Sequence, residues 1–185
     1  ANGQLGNGAT STTAVSTPVA VTGIDGVALK ATSVVAGTSY SCALINDASV
    51  RCWGINASGQ LGTGTTTQST TAVQVKTAAA VFFTGVTSLT AGASHACAIV
   101  GSGSTATARC WGLGTNGRLG NGAATNSSYA VAVVATLTTG LSALVAGGSH
   151  TLALVPVVSA LAPSAGAAWG LNTNGQLGTG TTTAA

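Results

Sequence analysis

The chain has 185 residues, of which 45% are hydrophobic and only 4% charged, with five basic side chains against two acids. It is long enough for one domain with a sizeable core and too apolar to belong with disordered chains. The scattered bases form no stripe that would track a phosphate backbone, and no run of about 18 uninterrupted apolar residues offers a membrane span.

The most apolar stretch, Leu154 to Leu171, is broken by Pro156, Ser159, Pro163, Ser164 and Gly166. No membrane insertion and no nucleic-acid partner are therefore expected. With so little charge, Thr, Ser, Gly and Asn must make the surface. Such a surface resists association weakly, which suits an assembly or a coat of glycans better than a free monomer. The chain has no Met, opens mid-phrase on "ANGQLGNG" and stops mid-phrase on "GTGTTTAA". It is read as a processed product or a piece of something longer.

The elements are short, β-branched runs bounded by Gly, Asn and Ser, the pattern of strands. "TPVAV" (Thr17 to Val21) comes first, followed by "SVVAG" from Ser33, "YSCALI" from Tyr40, "RCWG" from Arg51 and "TAVQV" from Thr71. The series returns as "SLTAG" from Ser88, "HACAIV" from His95, "RCWG" from Arg109 and "YAVAVV" from Tyr129. It returns again as "ALVAG" from Ala143, "HTLALV" from His150 and "AAWG" from Ala167. Asn-Gly pairs such as Asn116-Gly117 and Asn174-Gly175 mark tight turns. No stretch carries a 3.6-residue apolar period long enough for a helix.

Three landmarks keep the units in register. The Ala-Gly pair at Ala36, Ala91 and Ala146 recurs every 55 residues, and Trp53, Trp111 and Trp169 recur every 58. The phrase "GQLG" or "GRLG" starts at Gly3, Gly59, Gly117 and Gly175. A period of this order marks solenoids, propellers or arrays, and four strands per unit repeated radially is how a β-propeller is made. The expected fold is all-β, one propeller segment over residues 1–185. Its units run over about 31–86, 87–140 and 141–185, the last completed by a segment equivalent to 1–30.

The order "AG-x-x-H-x-C-A-[LI] … R-C-W-G-x-x-x-x-G-[QR]-L-G-x-G" resembles the repeat of the regulator-of-chromosome-condensation (RCC1-like) propellers, and the likeness covers almost the whole chain. It implies about three four-stranded blades. The family's usual ring is seven-bladed, so this chain is a partial ring completed by other chains or by more of the same chain. The resemblance also implies protein partners. The family includes a nuclear exchange factor for a small GTPase, ubiquitin-ligase modules, and secreted bacterial inhibitors or adhesins. The exchange-factor role fits poorly with so uncharged a surface.

Cys42 and Cys52 fall on the second and third strands of one unit, and Cys97 and Cys110 on those of the next. The third unit has Leu152 and Ala168 there, so the cysteines are lost as a pair. Residues opposed across a hairpin stand close to disulfide range. The spacing is read as two disulfides, which belong to an oxidising, extracellular setting; four buried free thiols are the other reading. Neither zinc-type Cys spacing nor clustered His is present.

No catalytic constellation emerges. Asp25 and Asp47 lie at non-equivalent places and read as turn residues. Tyr40, His95 and His150 share one repeat position, which points to a packing role. Trp53, Trp111 and Trp169, with Leu61, Leu119 and Leu177, read as blade-packing residues. Arg51, Arg109 and Arg118 read as solvated. "VFFTGV" (Val81 to Val86) is core filling or an interface patch. The sequons at Asn56 and Asn126 are glycosylation candidates, and the Thr-rich loops would accept O-linked sugar. No cofactor is expected.

Three blades cannot close a ring that takes 4–8, and uncovered sheet edges invite pairing. The expected function is a non-enzymatic, extracellular or cell-surface scaffold that assembles head to tail with copies of itself. A secreted protein-binding propeller of the inhibitor or adhesin type is the alternative.

Overall fold

The computed structural model describes residues 2–10, 12–134, 140–155 and 165–184. The first sheet takes β1 (Ala31–Ala36), β2 (Tyr40–Ile45), β3 (Val50–Gly54) and β4 (Ser69–Gln74) in chain order. A small hairpin of β5 (Lys76–Ala78) and β6 (Val81–Phe82) follows. The second sheet repeats the first with β7 (Val86–Ala91), β8 (His95–Val100), β9 (Thr107–Gly112) and β10 (Ser127–Ala132). The third has β11 (Ala143–Ala146), β12 (His150–Val155) and β13 (Ala165–Gly170), and no fourth strand pairs with β13 among the described residues. All neighbours are antiparallel. The turn between β12 and β13 lies outside the described residues.

Thr17–Val21 departs from the expected strand: it joins no ladder. No strand stands beside it to pair with among the described residues. Its neighbourhood leans on the first sheet instead. Ala72 N donates to Thr22 O at 2.9 Å, and Val21, Ile24 and Leu29 pack on Ala43, Ile45, Trp53 and Ala72.

Strand alternation gives each sheet two apolar faces, and consecutive sheets stack through them. Tyr40, Cys42 and Leu44 of the first sheet share a core with Leu89, Ala96, Ala98 and Trp111 of the second. Cys97, Ile99 and Cys110 on the other face of the second sheet share a core with Leu144, Ala153 and Trp169 of the third. Cys42 faces Cys52 in register, and Cys97 faces Cys110. Each pair is at bonding distance, with S–S 2.12 and 2.10 Å. Leu152 faces Ala168 at the same place in the third sheet.

The inner strands meet near the axis of the arc. Thr38 N donates to Ala93 O at 3.0 Å, and Ala93 N donates to Gly148 O at 3.1 Å. A Cβ on Gly92 would lie 2.3 Å from the His95 ring and 2.5 Å from Gly147 O, so the Ala-Gly landmark exists because only glycine fits there.

Phe83 and Trp111 pack edge to face, with ring centroids 5.9 Å apart. The "VFFTGV" segment is therefore divided: Phe83 is core, while Val81 and Phe82 are exposed. Trp111→Phe keeps an aromatic ring in the seam but removes the indole N–H that reaches Gln60 O at 2.9 Å. Leaving that buried carbonyl unpaired is expected to cost about 1–3 kcal/mol. Urea unfolding checks this, with a lower midpoint at an unchanged slope as the expected outcome.

Candidate functional site: the seams and the two end faces

The seam between sheets is built by one contact that occurs three times. Trp53 Nε1 donates to Gln4 O at 2.9 Å, Trp111 Nε1 to Gln60 O at 2.9 Å, and Trp169 Nε1 to Arg118 O at 3.0 Å. In each case the indole of one unit caps the "GQLG" or "GRLG" loop of the unit before it. The glycine two residues after the accepting carbonyl lies under the ring. A Cβ at Gly6, Gly62 or Gly120 would come within 2.7–3.1 Å of the tryptophan or its neighbours. Leu61, Leu119 and Leu177 are buried beside these loops.

The loops are held from inside. Asn56 is 0% exposed; its Nδ2 donates to Thr65 O and Thr67 O, and its Oδ1 accepts from Leu61 N. Asn172 does the same for Thr181 O, Thr183 O and Leu177 N. This corrects the reading of Asn56 as a glycan acceptor, because its amide nitrogen is enclosed and fully engaged. The sequence signal was there: an Asn four residues before Gln in both "INASGQLG" and "LNTNGQLG". In the middle unit Gly114 replaces the asparagine, and a Cβ there would lie 1.8 Å from Thr125 O, so the following loop closes into the freed space. Asn126 is exposed on that loop, with Oδ1 accepting from Gly114 N at 3.0 Å.

Tyr40, His95 and His150 point along the arc toward the next unit. Tyr40 Oη donates to His95 O and approaches Gly92 O at 3.2 Å, and burial raises its pKa. His95 Nε2 lies 3.0 Å from Thr151 Oγ1. Thr151 Oγ1 also reaches Arg118 O at 3.4 Å, and His95 Nδ1 is buried without a partner. His150 is half-buried on the outer face of the third sheet.

Arg118 corrects a second expectation. It is 6% exposed rather than solvated, with Nε on Thr115 O and Nη1 on Ser149 Oγ. Burial lowers its pKa, and it remains a charge beside His95. Arg109 braces its own sheet through Ala130 O. Asp25 Oδ1 accepts from Val27 N and Leu29 N, and Asp47 Oδ1 from Ser49 N. These bonds hold both carboxyls below the ordinary value. No group of three or more His, Cys, Asp or Glu among the described residues is placed to hold a metal. No described helix is long and apolar enough to cross a membrane.

The two end faces present the same surfaces that are buried inside. On the last sheet Val145, Leu152 and Leu154 are 57%, 42% and 45% exposed. On the first, Val21, Ile24 and Leu29 cover the outer half of the face. The inner half is a groove of about 620 Å³ lined by Val21, Ile24, Val34, Val35, Ser41 and Trp53. Val34 is 69% exposed there.

The His95 pKa is lowered to about 4, first by burial, then by the charge of Arg118 and the neighbouring His150. Between that value and the ordinary 6.5 the unfolded chain binds more protons, so stability rises with pH across the window. It is fully present above pH 6.5 and lost as pH falls toward 4, a change on the order of 3 kcal/mol. His95→Gln is expected to flatten this slope while leaving the later acid loss from Asp25 and Asp47. Chemical denaturation at stepped pH checks it.

Comparison with known proteins locates the repeat. The model of the regulator of chromosome condensation (RCC1) repeat matches residues 1–44 and 47–99. The chain is 33% identical over 147 residues to the ultraviolet-B receptor UVR8 of Arabidopsis thaliana, covering 80% of this chain and 31% of the receptor. Human WBSCR16 superposes with a TM-score of 0.74 at 22% identity, over 99% of this chain and 44% of that one. Prp20p of Saccharomyces cerevisiae, whose structure is described together with its binding to Gsp1p and histones, superposes with a TM-score of 0.64 at 17% identity. That match covers 82% of this chain and 35% of Prp20p. The chain thus spans less than half the length of each of these relatives.

Proposed function

The chain belongs to the RCC1 repeat family, and from that premise we propose that it is a non-enzymatic, extracellular structural scaffold that assembles head to tail through its end blades. One observation carries the reading. Val145, Leu152 and Leu154 stand exposed on the last sheet, where the equivalent face of the second sheet is buried under its neighbour. Further blades, from a second copy or from more of the same chain, are what this surface chemistry fits.

Other features support the setting. Two cysteine pairs at bonding distance suit an oxidising compartment. A surface with 4% charged residues offers little repulsion between copies. Asn126, exposed on its loop, is the sequon a glycan would take. Asp25 and Asp47 are engaged in their own turns and Arg118 in a seam, which favours a structural role for them.

A protein-binding module is the second reading. Prp20p is described as binding Gsp1p and histones, and here the β5–β6 hairpin exposes Val81 and Phe82, with Lys76 Nζ 5.6 Å from the Phe82 ring centre.

Sedimentation velocity over about a hundredfold range of concentration separates the two. The scaffold reading predicts mass that grows with concentration. Leu152→Asp leaves the monomer folded but puts an unpaired charge in the joint, and is expected to weaken association by about a hundredfold. A wild-type chain that stays monomeric at the highest concentration overturns the scaffold reading, and Phe82→Ala is expected to leave its association unchanged.

A further inference from the structure

We infer that the C-terminal loop, residues 172–180, docks on Trp53 of a second copy and displaces that copy's own residues 2–8 from the indole. The inference rests on the assembly reading and names its joint.

The two loops are chemical duplicates. Asn2 to Gly6 and Asn174 to Gly178 both read "NGQLG". They also fold alike. Asn2 N donates to Gln4 Oε1 at 3.0 Å and Asn174 N to Gln176 Oε1 at 2.9 Å. Gly6 N donates to Gly3 O and Gly178 N to Gly175 O, each at 3.0 Å. The loop of the first full unit has the same pair of bonds, Ser58 N to Gln60 Oε1 and Gly62 N to Gly59 O. That loop receives Trp111. The C-terminal loop is therefore already shaped for an indole, yet a Cβ on Gly175, Gly178 or Gly180 would meet nothing within 4 Å.

Within one copy, residues 2–8 occupy the place that the C-terminal loop would take. Gln4 O accepts from Trp53 Nε1 at 2.9 Å, and Gly8 N donates to Thr70 O at 2.9 Å. Gly64 N makes the matching bond to Ser128 O at the next seam, at 2.8 Å. A second copy cannot stack fully while this loop remains, because two loops would claim one indole.

The exchange has a direction. Asn172 braces the C-terminal loop with four bonds, and Leu177 beneath it is 7% exposed. Leu5, the counterpart of Leu177 in the resident loop, is 41% exposed. The incoming loop is the better organised of the two, so less ordering is lost when it binds. The same approach brings Thr17–Val21 of the second copy beside the open edge of β13. It gains there the ladder partner it lacks within its own chain, and Val34 is set over Leu152 and Leu154.

Two substitutions separate the loops in the 185-residue chain. Asn tolerates the positive φ of +69° at Gly6 and +67° at Gly178. A Cβ at Gly6 would lie 2.8 Å from the Trp53 ring, so Gly6→Asn expels the resident loop. A Cβ at Gly178 meets nothing until an indole arrives, so Gly178→Asn leaves the monomer's melting temperature unchanged and blocks docking. Freeing the indole raises the competent fraction, and Gly6→Asn is expected to tighten self-association by about tenfold. Gly178→Asn and the double variant are expected to sediment as monomers. If the wild type associates and Gly178→Asn associates equally well, loop exchange is overturned while head-to-tail assembly stands. If the wild type does not associate at any concentration, both fall. Because Gly178→Asn alone decides the first case, the test holds even if Gly6→Asn fails to fold.

Discussion

An indole N–H on the carbonyl of the preceding loop is the contact on which this arc depends. A four-stranded sheet with two apolar faces has no independent core, so each unit is stable only when stacked. The tryptophan fixes how it stacks. Its ring buries apolar area while its N–H pairs with a backbone carbonyl of that loop. The glycine beneath the ring keeps the two backbones close enough for that bond. Loop, glycine and tryptophan form one device, repeated from Trp53 to Trp111 to Trp169.

The acceptor is backbone, and this explains what varies. Gln4, Gln60 and Arg118 all offer the same carbonyl, so the side chain is free to change. At the third seam it changed to an arginine that also holds Ser149 and Thr115. The inner row varies in the same way. Tyr40 closes the seam between the first and second sheets with a hydroxyl that stays neutral, whereas His95 closes the seam between the second and third with a ring that must stay neutral. The two joints of one arc therefore differ in their response to acid, although their geometry is alike.

Much of this was legible in the sequence because recurrence exposes scaffold residues. The strands containing Tyr40, His95 and His150 fall where the repeat puts them, and the cysteines face each other in register. What was misread depended on tertiary surroundings that a local pattern does not carry. Asn56 matches a sequon, but its loop folds around it. Arg118 looks like a surface cation until the third sheet covers it. Thr17–Val21 has a strand's composition, but a strand needs a partner beside it. The Trp acceptors were invisible because a carbonyl leaves no mark on residue identity.

Hydrogen exchange at the three indole N–H groups and along β13, followed as concentration rises, tests most directly whether stacking holds the sheets. The account predicts slow exchange for the Trp111 and Trp169 indoles at all concentrations, and β13 edge amides that exchange fast when dilute and slow when concentrated. A Trp111 indole exchanging like free tryptophan while the amides of its own sheet stay protected would mean that the blades stand alone, and would contradict it.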